Sequence, residues 1–394
     1  MENRQFEPAD RISTVEEYYF SRKLKEIARM NAEGKDIISL AIGSPDMPPS
    51  QETIDTLCEV AHQPQAHGYQ PTVGTPELRK SMAGFYKRFY GVDLDPATEI
   101  QPLIGSKEGI LHVTLAFVNP GDNVLVPNPG YPTYTSLSRI LGANIINYNL
   151  KESDGWQPDF NQLEELAKTH SRIKLLWTNY PNMPTGGRAR RETYERLVSF
   201  AHAHNIIVVN DNPYSFILNE GEKLSILQIP GAKDCCIVFN SMSKSHNMPG
   251  WRVGLLATNR QFVQWILKIK SNIDSGTFRG LQLAAAKAYD NTDEWHQKAN
   301  VETYALRRKY AEQIMDTLHC TYDKDQVGMF LWGRIPDLYN NVEELTERVL
   351  HEARVFITPG FIFGSNGERY IRISLCAKEP QFQEALKRIQ EIWK

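Results

Sequence analysis

The stretch from Ser241 to Gly254 constrains this chain more than any other segment. It follows an apolar run, Cys235 to Phe239, whose composition is that of a buried strand. Lys244 stands between two serines just after that run, and Arg252 follows within Gly-Trp-Arg-Val-Gly. A second cation and removal from water both favour the neutral, nucleophilic form of a lysine. The pattern therefore indicates a reactive lysine with an anion-binding arginine near it.

This segment resembles the pyridoxal-phosphate attachment motif of class I and II aminotransferases. The positions that carry the resemblance are Ser241, Ser243, Lys244, Gly250, Arg252 and Gly254. A lone Ser-Lys-Ser would be typical of a solvated loop, so the weight rests on the whole pattern. The resemblance implies that Lys244 forms a Schiff base with pyridoxal 5'-phosphate. It also implies that Ser241, Ser243 and Arg252 hold the phosphate of that cofactor.

The composition predicts a globular chain with two domains. It has 394 residues, of which 41% are hydrophobic, and this is enough to bury a large core. A formal net charge of -3 gives no reason to expect nucleic acid or an anionic membrane as a partner. No apolar run is long enough to cross a bilayer, and the polar N-terminus is unlike a signal peptide. The five cysteines have no metal-ligand spacing, so we expect no metal and a cytoplasmic location.

A second apolar run, from Ile206 to Val209, leads to Asp211, and Tyr214 follows three residues later. Open α/β sheets place ligand-binding groups at the carboxyl ends of their strands. The resemblance implies that Asp211 pairs with the pyridine nitrogen and that Tyr214 donates to the ring oxygen. An isolated Asp-x-x-Tyr is a common loop composition. Its place between a Pro-Thr-Gly turn and Lys244 favours the functional interpretation.

Residues 103–118 have the pattern of a strand, a glycine turn and a helix. The free N–H groups at a helix start bind phosphate, although most glycine turns before helices bind nothing. Here Gly105, Ser106 and Lys107 match the phosphate-binding turn of the family. Tyr131 matches the aromatic residue that stacks on the pyridine ring, and a flat ligand needs such a platform. Packing within a Pro-Tyr loop is the alternative role for Tyr131.

Three residues are candidates for binding the substrate. Arg372 lies in the middle of an alternating strand, where an arginine is costly to bury without an anion. It matches the family arginine that binds the substrate α-carboxylate. Gly43 matches a glycine of a Gly-x-Pro-Asp segment that lies near the substrate. If the substrate is a dicarboxylate, Arg279 is our candidate for binding its distal carboxylate. A solvent-facing Arg279 without that role is an equal alternative.

One position departs from the family pattern at the cofactor. The family has Asn-Pro-Thr-Gly, and its asparagine hydrogen-bonds the ring oxygen, whereas this chain has Met183 there. Asn182 could replace that asparagine only if the loop shifted by one residue. Tyr69 falls on the tyrosine that reaches the cofactor phosphate of the other subunit in the family's dimers. A half-buried packing role is the alternative for Tyr69.

The order of these segments, together with the alternation of strands and helices, predicts an α/β fold. The resemblance implies fold type I, with a large cofactor-binding domain over residues 46–280 built on a mostly parallel sheet between helices. It implies a smaller α+β domain formed by residues 1–45 and 281–394. Hydrophobic periodicity predicts helices over residues 14–31, capped by Ser13 or Thr14, and over about 293–318.

The predicted function is transfer of an amino group from an L-amino acid to a 2-oxo acid. In the family the active site is shared within a homodimer, so we expect a homodimer here. The same scaffold also supports carbon–sulfur β-elimination, and the motifs do not exclude that lyase activity. A regulator that keeps the cofactor fold is the weakest alternative. The motifs do not identify the amino acid.

Overall fold

The computed structural model describes residues 6–15, 19–292 and 300–393. The helices of these ranges are α1 (Tyr19–Ala32), α2 (Gln51–Ala61), α3 (Pro76–Tyr90), α4 (Ser106–Phe117), α5 (Pro132–Ile140), α6 (Phe160–Thr169), α7 (Arg191–His204), α8 (Ala232–Cys235), α9 (Met242–Ser245), α10 (Arg260–Lys270), α11 (Arg279–Asp290), α12 (Glu302–Thr317), α13 (Val342–Glu352) and α14 (Glu379–Ile392). The strands are β1 (Ile38–Ser39), β2 (Ile100–Leu103), β3 (Asn123–Asn128), β4 (Asn144–Asn149), β5 (Ile173–Asn179), β6 (Ile207–Asp211), β7 (Cys236–Ser241), β8 (Gly254–Ala257), β9 (Phe330–Arg334), β10 (Val355–Phe356), β11 (Thr358–Pro359) and β12 (Tyr370–Ser374).

A seven-stranded sheet in the order β2-β8-β7-β6-β5-β3-β4 forms the centre of the molecule. Strand β8 runs antiparallel to both of its neighbours, and the other pairs of the sheet are parallel. Parallel strands need long crossover connections, which the intervening helices supply. The mostly parallel α/β sheet predicted from the sequence is confirmed.

Helices cover both faces of this sheet because its strands are apolar on both sides. Along β5, Leu175 and Trp177 pack in a cluster that includes Val113 of α4 and Ile266 of α10. Leu176 points to the opposite face and packs in the cluster that includes Leu197 of α7. The central strands are therefore buried and rigid, which gives the groups at their carboxyl ends fixed positions.

A second, antiparallel sheet has the order β11-β12-β9. Beside it, β1 near the N-terminus pairs in parallel with β10. Helix α1 adds Phe20, Ile27 and Met30 to a cluster with Leu350 and Phe356. The N-terminal segment is thus packed against the C-terminal third of the chain, and this contact brings residues near 20 and 43 close to β12.

The predicted helix over residues 14–31 is only partly confirmed, because Ser13 and Thr14 lie in a separate 3-10 turn. Their hydroxyls donate to the carbonyls of Asp10 and Arg11, so they do not cap α1. Residues 16–18, and residues 293–299 of the other predicted helix, lie outside the described residues. No helix in the described part of the chain is both long and apolar enough to cross a membrane.

Candidate active site

A cavity of about 600 Å³ lies where strands β5, β6 and β7 end. Asn179, Asp211 and Ser241 are the last residues of those strands, and all three line it. The carboxyl edge of an open parallel sheet is the usual position for a ligand. The cavity brings together these residues that were singled out from the sequence: Gly43, Ser106, Lys107, Tyr131, Asp211, Tyr214, Ser241, Ser243, Lys244, Arg252 and Arg372.

Lys244 lies in the short helix α9, which β7 leads into directly. Its Nζ donates to the carbonyl oxygen of Gly43. Burial lowers the pKa of Lys244 below its ordinary value, and the guanidinium groups of Arg372 and Arg252 lower it further, against an opposing effect of Cys376. A lowered pKa enlarges the neutral fraction of the amine, which is the form that attacks a carbonyl or accepts a proton.

Asp211 is only 4% exposed, and it leaves one carboxylate oxygen unused. Its Oδ2 accepts from the hydroxyl of Tyr134 at 3.0 Å, whereas Oδ1 is buried with no hydrogen-bond partner among the described residues. Burial raises the pKa of Asp211 to about 7, with the hydrogen bond from Tyr134 acting against it. A buried acceptor with an unused oxygen fits a cationic N–H donor, such as a protonated pyridine nitrogen.

The turn before α4 is open for an anion. Gly105 has φ +76°, and no side chain among the described residues caps the first turn of the helix. A Cβ at Gly105 would collide with the guanidinium of Arg252, so only glycine allows that approach. Arg252 Nη1 donates to Ser243 Oγ at 3.2 Å and to the carbonyl of Pro249 at 3.0 Å. Uncapped N–H groups, a guanidinium and a serine hydroxyl together fit a phosphate.

Two tyrosines that line the cavity have different surroundings. Tyr131 meets Tyr134 edge to face, with ring centroids 5.5 Å apart, and Tyr134 stacks on Trp177. Tyr214 is buried, which raises its pKa far above its ordinary value, so its phenol stays a hydrogen-bond donor. The pair therefore offers an aromatic platform and a hydroxyl donor to a flat ligand.

Arg372 is 5% exposed and is held in place from several sides. Its Nη2 donates to the carbonyl of Ala41 at 2.8 Å, and its Nη1 lies 3.5 Å from Met183 Sδ. The guanidinium carbon lies 4.0 Å from the ring centroid of Phe330 and 4.6 Å from that of Phe363. A guanidinium fixed between aromatic rings at a cavity wall is well placed to bind a carboxylate.

Four of the candidates do not line this cavity: Gly105, which directly precedes Ser106 of the wall, and the more distant Asn182, Arg279 and Tyr69. Asn182 is turned into its own loop, where its amide donates to the carbonyl of Asn179 and accepts from the hydroxyl of Thr185. Because the turn uses both ends of this amide, Asn182 does not face the cavity in this structure, and its contact with a cofactor stays a prediction that needs a shift of the loop. Arg279 pairs with Glu77 at 3.0 Å at the start of α11 and does not line this cavity, so its role towards a second carboxylate stays a prediction.

Tyr69 is the last of these candidates. Its side chain is 95% exposed and does not line the cavity of its own chain. Tyr69 is therefore not a half-buried packing residue within its own chain. The position of Tyr69 is compatible only with solvent or with a neighbouring subunit.

The cavity also contains residues that sequence reasoning missed. Tyr134 anchors Asp211, Asn179 donates to the Asp211 carbonyl at 2.6 Å, and Phe330 lies against Arg372. Phe20 and Leu24 of α1 form part of the wall. Tyr134 stands three residues after Tyr131 in the same Pro-Tyr segment, and this spacing is the one signal that pointed to it.

Comparison with known proteins agrees with this geometry. A family model described as aminotransferase class I and II matches residues 35–389. An LL-diaminopimelate aminotransferase of Oleidesulfovibrio alaskensis is 40% identical over 98% of this chain and 100% of its own length, and one of Aquifex aeolicus is 39% identical over 98% and 99%. The solved structure of apo-BacF from Bacillus subtilis has a TM-score of 0.92 at 33% identity, with 98% of both chains covered.

These relatives are aminotransferases rather than lyases, so the alternative of β-elimination is not favoured. The members of this family use pyridoxal phosphate, and the unused Asp211 oxygen and the open turn at Gly105 fit its ring nitrogen and its phosphate. One cavity thus contains a lysine of lowered pKa (Lys244), a buried acid (Asp211) and a fixed arginine (Arg372). The chain around this cavity matches the family model over almost all of its length. The protein belongs to the class I and II aminotransferases and is a pyridoxal-phosphate-dependent enzyme that moves an amino group from an L-amino acid to a 2-oxo acid.

Proposed function

We propose that Lys244, Asp211 and Tyr214 perform the chemistry of transamination and that Arg372 binds the α-carboxylate of the substrate. The observation that carries this proposal is that an amine of lowered pKa, an acid with an unused oxygen and a fixed guanidinium line one cavity. When bound there, pyridoxal phosphate supplies an electron sink that stabilises negative charge at the substrate α-carbon.

Each residue has a separate task in this proposal. Lys244 Nζ, as the neutral amine, would remove the proton from the substrate α-carbon and, as the ammonium, deliver it to the cofactor carbon that is bonded to the amino nitrogen, so that the amino group stays with the cofactor. Asp211 Oδ1 would accept the ring N–H, and the Tyr134 hydroxyl on Oδ2 orients the carboxylate and favours its ionised form against the effect of burial. Tyr214 donates to the ring oxygen. Arg372 binds the two carboxylate oxygens with parallel N–H groups and so fixes the α-carbon near Lys244.

The phosphate site consists of the Gly105, Ser106 and Lys107 turn with Ser241, Ser243 and Arg252. The open first turn of α4 and the Arg252 guanidinium beside it support this assignment. Tyr131 provides the stacking platform. Holding the phosphate and the ring by separate groups keeps the cofactor in place while Lys244 moves protons.

We propose further that the amino donor has an apolar side chain. The cations of the described cavity wall are Lys107, Lys244, Arg252 and Arg372, and each already has a task. The wall near Arg372 is apolar, with Phe330 and Phe363 on its guanidinium and Phe20 at 5.9 Å. Leu24 and Ile42 continue this surface. Apolar side chains gain from burial there, whereas a distal charge would lose hydration without a partner from this chain.

The second candidate donor is LL-diaminopimelate, because relatives of about 38–40% identity carry that name. The two donors are distinguished by single-turnover mixing of the holoenzyme with L-phenylalanine, L-leucine, LL-diaminopimelate and L-glutamate. The loss of the cofactor's visible absorption is followed in each case. We expect the largest second-order rate constant for this loss of absorption with an apolar amino acid, L-phenylalanine or L-leucine. Faster reaction of LL-diaminopimelate would overturn the donor proposal and leave the aminotransferase activity intact.

We also propose a homodimer with shared active sites. Tyr69 is fully accessible, and apolar Ile273 and Phe278 are 53% and 38% exposed on the segment that pairs with Gln70. Such a surface is suited to a second copy of the chain, with Tyr69 reaching the partner's phosphate site. Light scattering of the purified protein measures the mass, and a monomer of 45.0 kDa would contradict the proposal.

The predicted division into residues 46–280 and the two flanking segments is kept as a proposal with one change. Helix α11 packs against α2 and α3, so we place the boundary at its end, near residue 290. The cytoplasmic location stays a prediction.

A further inference from the structure

A buried cluster of charged side chains lies directly behind the turn at Gly105. Lys270, at the end of α10, is 3% exposed. Its Nζ donates to Glu108 Oε1 at 2.6 Å and to the two oxygens of Asp274 at 2.9 and 2.8 Å. His112 is fully buried, and its Nε2 lies 2.5 Å from Glu108 Oε1 and 3.4 Å from Asp274 Oδ2. The three helix and loop segments that meet here are therefore joined by ion pairs.

This cluster contacts the turn itself through Glu108. Glu108 lies in the first turn of α4, and its Oε2 accepts the backbone N–H of Ile104 at 3.0 Å. Ile104 immediately precedes Gly105, and its carbonyl accepts from Arg252 Nη2 at 3.4 Å. The Glu108 carboxylate thus fixes the backbone at Ile104. Both the contact of Arg252 with the Ile104 carbonyl and the position of the open N–H groups after Gly105 depend on that backbone.

The charge balance of the cluster matters for an anion bound at the turn. Burial alone would raise the pKa of Glu108, but His112 and Lys270 outweigh burial and hold the pKa below its usual value. Glu108 is therefore an anion, and Asp274 is a second acid beside it. Without a cation between them, these two half-buried carboxylates would repel a phosphate at the same helix start. Lys270 occupies the position between them, as a metal ion could in such a group of acids.

We propose that Glu108, Lys270 and Asp274 are positioning residues for the phosphate site: Glu108 fixes the turn, and Lys270, held by both acids, offsets one of the two negative charges behind the turn. The proposal rests on the proposed role of the Gly105 turn in binding the cofactor phosphate. It assigns a function to a cluster that touches neither substrate nor the reacting atoms. Its consequence is that the phosphate contribution to binding depends on a lysine outside the cavity.

The test compares two ligands that differ only in the phosphate. Cofactor-free protein is titrated with pyridoxal phosphate and with pyridoxal. The Kd of pyridoxal divided by the Kd of pyridoxal phosphate reports how much the phosphate contributes to binding. We expect Lys270→Met to reduce this ratio about tenfold, equivalent to about 1.4 kcal/mol. Lys268→Met, which removes an exposed lysine from the same helix, is the matched control and should leave the ratio unchanged. Lys270→Gln keeps a hydrogen-bond donor but removes the charge, and it should reduce the ratio by the same factor. This variant provides the test if Lys270→Met does not fold.

A double variant separates charge from general damage. Glu108→Gln combined with Lys270→Met removes one acid together with the cation, and we expect the ratio to recover towards the wild-type value. If Lys270→Met and Lys270→Gln leave the ratio unchanged, either because neither ligand is affected or because both bind equally more weakly, the proposal is overturned. Arg252→Met tests the phosphate site itself. If Arg252→Met lowers the ratio and the Lys270 variants do not, the phosphate site stands and only the positioning role fails.

Discussion

Replacing Asp211 with asparagine should stabilise the cofactor-free protein at neutral pH while it weakens cofactor binding. Burial raises the pKa of Asp211 from 3.8 to about 7 in the folded chain. The difference of about three pKa units corresponds to roughly 4 kcal/mol at 1.36 kcal/mol per unit. This is the free energy that the folded chain loses by ionising a carboxylate that has one oxygen without a described partner.

The sign of the pH dependence follows from proton binding. Between about pH 4 and pH 7 the folded state keeps the proton of Asp211 and the unfolded state has lost it. The free energy of unfolding contributed by this group therefore falls as pH rises, and the loss is complete above the folded pKa of about 7. Asparagine does not titrate, so the advantage of Asp211→Asn should grow across this window and then stay constant.

The assay is urea unfolding of the cofactor-free wild type and variant at several pH values from 4 to 8. We expect the two proteins to be similar near pH 4 and the variant to be more stable by up to roughly 4 kcal/mol at pH 8. Asp55→Asn, an exposed aspartate on α2, is the control and should show no such pH-dependent gain. If the difference in unfolding free energy between Asp211→Asn and the wild type is no larger at pH 8 than at pH 4, the argument that the buried Asp211 carboxylate lacks a cationic partner in the cofactor-free protein is refuted.

Three further experiments test the rest of the site. Arg372→Lys keeps the charge but loses the parallel N–H pair, so KM for the amino donor should rise about tenfold with cofactor affinity unchanged; an unaltered KM would contradict the carboxylate role. Met183→Asn offers the ring oxygen a hydrogen bond worth about 1.5–3 kcal/mol, which should lower the midpoint of the cofactor's visible-absorption titration by about one to two pH units. Met183→Leu should not move it, and a constant midpoint in Met183→Asn would mean that another group already supplies the bond. Tyr69→Phe and Lys244→Ala subunits, mixed in one dimer, should regain one intact site; no recovery of activity would contradict shared sites.

Much of the site could be predicted because its residues follow buried strands. Asp211 ends β6, and Lys244 comes just after the end of β7. A run of apolar residues predicts such a strand, and parallel strands bring their carboxyl ends to one edge. The same logic identified Arg372, whose burial in the middle of β12 implied an anion. These positions depend on local sequence together with a simple rule of topology.

The remaining contacts depend on residues that are distant in the chain. Tyr134 bonds Asp211 across 77 positions, and Phe330 reaches Arg372 from a neighbouring strand of the small sheet. The sequence could not show that Asn182 closes its own turn in this structure, because the choice between facing the cavity and closing the turn depends on loop geometry. The sequence could not show the pairing of Arg279 with Glu77 either, because the packing of α11 against α3 brings Glu77 close. Periodicity and spacing carry no information on such contacts.

Borohydride reduction of the holoenzyme, followed by peptide mapping, tests the central claim most directly. Reduction fixes the cofactor to the lysine that holds it, and the site contains two lysines, Lys107 and Lys244, among the described residues of the cavity wall. The burial of Lys244 and its contact with the Gly43 carbonyl predict that the label is found on Lys244 and that Lys244→Ala binds the cofactor without becoming labelled. Labelling of Lys107, or of any other lysine, in the wild-type enzyme would contradict the account.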